Sequence, residues 1–221
     1  MISMSSCSHR GLKAVTLACG LLAVAAPVAA ASGGFSIGSP QLAGGRATSN
    51  QDVNRDGTRD VKCSSGTYLF AISAYGATWG TYPAVEAVGL WCKSPSGSEA
   101  SPVSFGTVAA GFPSLPSLGS GRCTGTNGAL TGLNVNADRF IKDIKARCGE
   151  IFAGSGQKTR VDDDGYQDSW MLDQVQNNDT QEGLRCGKRK VVTGLRIRYR
   201  EDSNETAFTS LQLFCSTVSK A

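Results

Sequence analysis

Three aromatic rings and a carboxylate fall within twelve residues: Tyr75, Trp79 and Tyr82 in the run Tyr75-Gly76-Ala77-Thr78-Trp79-Gly80-Thr81-Tyr82-Pro83, and Glu86 just beyond it. Flat rings on an exposed loop stack on the C–H face of a pyranose, and a carboxylate accepts hydrogen bonds from sugar hydroxyls. The same rings also suit a bland role, closing the end of a hydrophobic core.

A second constellation is Asp52-Val53-Asn54-Arg55-Asp56-Gly57-Thr58-Arg59-Asp60. Oxygen ligands at Asp52, Asn54, Asp56, Thr58 and Asp60, with a glycine at the turn, have the spacing that wraps a short loop around calcium. An Asx-rich solvated turn has the same composition. The bidentate glutamate of an EF-hand is missing, because Cys63 stands near its place. A partial second copy, Asp162-Asp163-Asp164-Gly165-Tyr166-Gln167-Asp168, has Arg160 at the first ligand position.

Other chemistry is bounded by what is absent. His9 is the only histidine and lies in an expected leader, so the remaining chain has no Ser-His-Asp or Cys-His pair and no histidine-ligated zinc. Paired carboxylates remain as a hydrolytic option. Their candidates are Glu86, Glu150, Glu182, Glu201 and Glu205, and no spacing among them reveals a pair. Gly154-Ser155-Gly156-Gln157-Lys158-Thr159 imitates the end of a phosphate-binding loop but lacks its first glycine.

Arg10 and Lys13 precede an apolar run from Ala14 to Ala26, and small residues follow at Ala29-Ala30-Ala31. Residues 1–31 read as a signal peptide, too short in its apolar part to span a bilayer. Localisation is then extracellular or periplasmic. The formal charge of +4 falls to +2 without the leader, and no basic run interleaved with aromatics points to nucleic acid.

The elements that must hold these residues follow from the cysteines. Cleavage after Ala31 leaves 190 residues with six cysteines, enough for one domain, 32–221, and three disulfides. Six cysteines allow 15 pairings. An internal repeat favours one bridge per unit, from Cys63 to Cys92, Cys123 to Cys148 and Cys186 to Cys215. Two, four and seven positions before each closing cysteine stand Leu90, Val88 and Val85, then Ala146, Ile144 and Ile141, then Leu213, Leu211 and Phe208. The repeats span about 32–92, 93–148 and 149–215, each with room for about four short strands.

A second signature follows two of the opening cysteines: Thr131-Gly132-Leu133-Asn134-Val135 and Thr193-Gly194-Leu195-Arg196-Ile197, with Phe70-Ala71-Ile72-Ser73-Ala74 as a degenerate version. Leu195, Ile197 and Tyr199 alternate with Arg196, Arg198 and Arg200, the period of a strand wet on one face. Ala137 to Cys148 passes locally for an amphipathic helix, but its match to the other closing segments makes it a strand. Lys93 to Arg122, with Pro95, Pro102, Pro113 and Pro116, is a connecting segment.

The closing segment Glu205-Thr206-Ala207-Phe208-Thr209-Ser210-Leu211-Gln212-Leu213-Phe214-Cys215, with Val192-Thr193-Gly194-Leu195-Arg196-Ile197, resembles the vitelline membrane outer layer protein I family. Leu130-Thr131-Gly132-Leu133-Asn134-Val135 with Phe140-Ile141 resembles jacalin-like relatives. The resemblance implies an all-β fold, a β-prism of three Greek-key sheets with pseudo-threefold internal repeats. It also implies association with extracellular glycan. The acidic residue that jacalin-type sugar loops place before the final strand corresponds to Glu86 in unit one, Lys142 in unit two and Thr209 in unit three.

The resulting expectation is a secreted, lectin-like protein that binds glycan without catalysis at Tyr75, Trp79, Tyr82 and Glu86, with calcium as a possible aid. A protective coat protein without a discrete ligand is the alternative, and a carboxylate-based enzyme on amino-sugar polymers is the third reading.

Overall fold

A computed structural model describes residues 34–106, 121–153, 159–166, 180–202 and 205–221. The expected leader, the segment containing Pro113 and Pro116, most of the phosphate-loop imitation and the end of the second acidic loop lie outside these residues.

The described chain is all-β. Its strands are β1 (Phe35–Ile37), β2 (Gln41–Thr48), β3 (Gly57–Lys62), β4 (Tyr68–Trp79), β5 (Tyr82–Lys93), β6 (Val103–Gly106), β7 (Gly128–Ala137), β8 (Ile141–Phe152), β9 (Arg160–Tyr166), β10 (Thr180–Arg185), β11 (Lys190–Asp202) and β12 (Glu205–Lys220). Asp52–Asn54 form one 3-10 turn. Of the segment with helical appearance, Ala137 ends β7 and Ile141 to Cys148 belong to β8. Among the described residues no helix is long and apolar enough to cross a membrane.

Three antiparallel sheets form, each built on one hairpin of the repeat. The unit-one sheet runs β4-β5-β6 and the unit-two sheet β10-β7-β8-β9. The unit-three sheet runs β1-β12-β11-β3, with β2 also on β12. All nine residues two, four and seven before the closing cysteines are buried in one shared core. Each larger aliphatic or aromatic among them stabilises by about 1.5–3 kcal/mol through burial.

Strict alternation would place positions two, four and six on one face. The repeat has seven instead of six because every closing strand carries a bulge. The pairing skips Glu86 in β5, Lys142 in β8 and Thr209 in β12. The extra residue reverses the alternation, so Val85, Ile141 and Phe208 return to the core. A second set of bulges skips Phe70, Thr131 and Thr193 in the opening strands.

Each sheet also takes chain from the start of another unit. The residue before each opening cysteine pairs with the opening strand of another unit's hairpin: Lys62 with Gly194, Arg122 with Ala71 and Arg185 with Gly132. The cysteine N–H then donates to the carbonyl of the bulge residue: Cys63 to Thr193 at 2.9 Å, Cys123 to Phe70 at 2.8 Å and Cys186 to Thr131 at 3.0 Å. Disulfides Cys63–Cys92, Cys123–Cys148 and Cys186–Cys215 therefore join different sheets. Together they tie the three sheets in a closed ring.

Candidate functional site

The β4–β5 turn at Gly80-Thr81 is flanked by the paired residues Trp79 and Tyr82, with Gly80 at φ +63. Trp79 is half-buried. Its ring lies 5.8 Å from that of Phe140, and the Arg200 guanidinium lies 5.9 Å from its centroid. Ala84, Phe140 and Ala207, each eight residues before a closing cysteine, pack in one buried cluster with Trp79. Trp79 thus helps bring together residues of all three closing segments.

Tyr75 and Tyr82 remain exposed, at 38% and 40%. Arg139 lies over the Tyr82 ring at 4.2 Å, a cation–π contact across units. The four residues expected at a sugar site are all on one hairpin, but in different environments: Tyr75 exposed, Tyr82 exposed with Arg139 over one face, Trp79 packed, and Glu86 buried at 5% exposure.

Glu86 is the bulge residue of β5, and its Oε1 is buried without a hydrogen-bond partner. Its counterparts are satisfied. Lys142 pairs with Asp138 at 3.7 Å, and the Thr209 hydroxyl donates to Asp52 Oδ1 at 3.3 Å. Burial raises the Glu86 carboxyl above its ordinary 4.5, and the charge of Glu205 adds to the effect. Such a group binds its proton more tightly in the folded chain, so its contribution to stability grows as the pH falls toward 4.5 and is lost as the pH rises through the raised value. Glu86→Gln is expected to flatten that part of the stability profile, measured by urea unfolding between about pH 4 and 8. An unchanged profile would refute the assignment.

A cleft of about 380 Å³ lies beside this bulge, lined by Ser104, Phe105, Gly106, Tyr199, Glu201 and Thr206. A side chain at Gly106 would collide with the Glu86 backbone, so β6 can approach only as glycine there. The Phe105 and Tyr199 rings lie 5.0 Å apart in the cleft wall. No sequence pattern marked Phe105 or Gly106, which lie in the Ser/Gly/Pro-rich connection. Among the five candidate carboxylates, Glu86 and Glu205 are close enough to interact, and Glu201 lines the adjoining cleft.

The acidic segment is engaged differently. Asp52 is buried and meets Arg198 at 3.1 Å and Arg46 at 3.6 Å. Asp60 is held bidentately by Arg196 at 2.7 and 3.0 Å, and this guanidinium lowers its carboxyl below the ordinary 3.8. Asp56 accepts the Glu201 N–H at 2.8 Å, and Asn54 donates to Gln51 at 3.1 Å. Thr58 is exposed on β3 opposite Arg198. Among the described residues no three of His, Cys, Asp and Glu are grouped to hold a metal. The segment's carboxylates neutralise Arg196 and Arg198 of β11, two of the three arginines that alternation had placed on a wet face, and the third, Arg200, donates to the Gln51 amide oxygen at 3.3 Å. In the second acidic loop Asp162 is bound by Arg160 at 3.0 Å, while Gln167 and Asp168 lie outside the described residues.

No protein-family model, curated protein or solved structure matches this chain.

Proposed function

We propose that the chain is a secreted β-prism protein that binds extracellular glycan at the end formed by the β4–β5 hairpin and the adjoining cleft, without catalysis. The carrying observation is that Tyr75 and Tyr82 stay exposed on the hairpin that also carries Glu86, whose Oε1 has no hydrogen-bond partner among the described residues. Open rings supply the stacking surface and carboxylates supply acceptors for hydroxyls. Three sheets around a shared core support the prism reading, and three disulfides support an oxidising compartment.

The test is a glycan array with and without millimolar calcium, using native protein and the Tyr75→Ala/Tyr82→Ala double variant. Native protein is expected to retain a defined set of glycans and the double variant to lose at least about tenfold in affinity, with its melting temperature unchanged. Trp79→Ala should instead lower stability, by about 3 kcal/mol. Loss of the calcium-free signal would add the cation to the site, in competition with the arginines that hold Asp52 and Asp60. Retention of no glycan would overturn the proposal in favour of a coat protein.

One observation favours the enzymatic reading: the buried Glu86 carboxyl, with its raised proton affinity, interacts with Glu205. A protonated acid beside a second carboxylate is the pairing used in glycoside hydrolysis. Turnover of chito-oligosaccharides that disappears in Glu86→Gln would replace the binding proposal.

A further inference from the structure

The residue before each opening cysteine is basic: Lys62, Arg122 and Arg185. All three pair with the same position of a neighbouring opening strand, so they are structural equivalents. Two have an aromatic ring and a carboxylate. Lys62 lies 4.4 Å from the Phe214 ring centroid and 3.4 Å from Asp60. Arg122 lies 5.1 Å from the Phe70 centroid and 3.2 Å from Glu99.

Arg185 has neither. The bulge residue beneath it is Thr131, where unit one has Phe70. A cavity of about 230 Å³ opens there, lined by Thr131, Val161, Arg185, Gly187 and Lys188. Among the described residues none that lines the cavity is acidic, and neither cation has an ion pair or side-chain hydrogen bond. The Thr131 hydroxyl donates to the Arg147 carbonyl at 3.3 Å, and nearby Asp162 is occupied by Arg160. Lys188 is brought beside Arg185 by a tight turn closed by Lys190 N–H to the Gly187 carbonyl at 3.3 Å. That turn needs positive φ at Gly187 (79) and at Arg189 (58), the one non-glycine residue with positive φ among those described. A left-handed arginine is strained, and the strain persists only where the surroundings enforce it.

We propose that Arg185 and Lys188 form an oxyanion site above Thr131, in which a ligand supplies the negative group that Asp60 and Glu99 supply in the other two units. The guanidinium fork matches a sulfate, phosphate or carboxylate in two-point contact, and the ammonium adds a second cation. The cavity is below the roughly 300 Å³ of a drug-sized pocket, so it takes one charged group, such as a sulfated or uronate sugar residue or a free inorganic anion. Nothing in this proposal depends on the hairpin site.

Calorimetric titrations with inorganic sulfate, inorganic phosphate, a sulfated tetrasaccharide and a uronate tetrasaccharide test it in dilute buffer. Native protein is expected to bind at least one probe. The saccharide arms against the inorganic arms identify the source of the anion. Arg185→Gln/Lys188→Gln, both at exposed positions, should weaken binding by about tenfold or more. Thr131→Phe fills the cavity as Phe70 does in unit one and should abolish binding with the charge unchanged. Arg185→Lys keeps the charge, loses the fork and should also weaken binding, which gives a reading even if Thr131→Phe fails to fold. Binding of none of the four probes would overturn the site. So would native-like binding by Arg185→Lys, which would reduce the effect to a diffuse positive field.

Discussion

Reduction of the three disulfides is expected to unfold the protein outright. Each closes a loop with a sequence separation of 29, 25 or 29 residues. Loops of that length restrict the unfolded chain by about 3.5 kcal/mol per bridge, and the three together match the roughly 5–15 kcal/mol that holds a domain of ordinary stability. Because each bridge joins two sheets, losing one opens the ring and leaves the other two as local staples. Cys186→Ala/Cys215→Ala is expected to lose about 3–4 kcal/mol in urea unfolding. Full reduction should abolish near-ultraviolet circular dichroism. A reduced chain that kept its native signal would show that the sheets hold each other without the ring.

A single methyl group should have the next largest effect. At Gly194 an added Cβ would lie 2.5 Å from the Val61 carbonyl oxygen and 2.8 Å from the Lys62 Cα. At Gly132 it would collide with the Leu184 carbonyl oxygen. Both obstacles are backbone of a strand paired in register, so neither can swing aside. Gly132→Ala and Gly194→Ala are each expected to cost about 2–3 kcal/mol by forcing β10 or β3 off its neighbour. Gly44→Ala, with nothing within 4 Å of the added group, is the control and should change stability by less than about 0.5 kcal/mol. Equal effects at all three positions would make the cost one of strand propensity instead of close approach.

These glycines show how far the sequence could be read. Thr-Gly-Leu was visible as a repeated strand signature, but the reason for its glycine lies in a strand that enters from another unit. The aligned aliphatic positions disclosed the core, while their spacing of two, four and seven contained a break in parity that marks the bulge. Glu86, Lys142 and Thr209 were legible as equivalents. What they do was not, since it depends on what reaches each of them: Asp138 from the adjoining turn for Lys142, and Asp52 from another unit for Thr209. The acidic segment had the composition of a calcium loop, and only the fold brings Arg46, Arg196 and Arg198 to its carboxylates. Trp79 stood among exposed rings in the sequence, and its partner Phe140 is sixty residues away in another unit. The three basic residues before the opening cysteines were a readable signal that the cysteine pattern obscured.

The pairing of β1, β2 and β11 with β12 also imposes an order in time. The β4–β5 and β7–β8 hairpins bring together residues close in sequence, and such contacts form early. β2 must wait for partners about 170 residues later in the chain, and β3 for partners about 140 residues later. The strand that receives β1, β2 and β11 is the last of all, Glu205–Lys220. A chain halted before Glu205 therefore has two hairpins and leaves β1 and β2 without their partner, and their open edges invite association with other chains. Completion of the fold waits for β12, and this sixteen-residue strand acts as its latch.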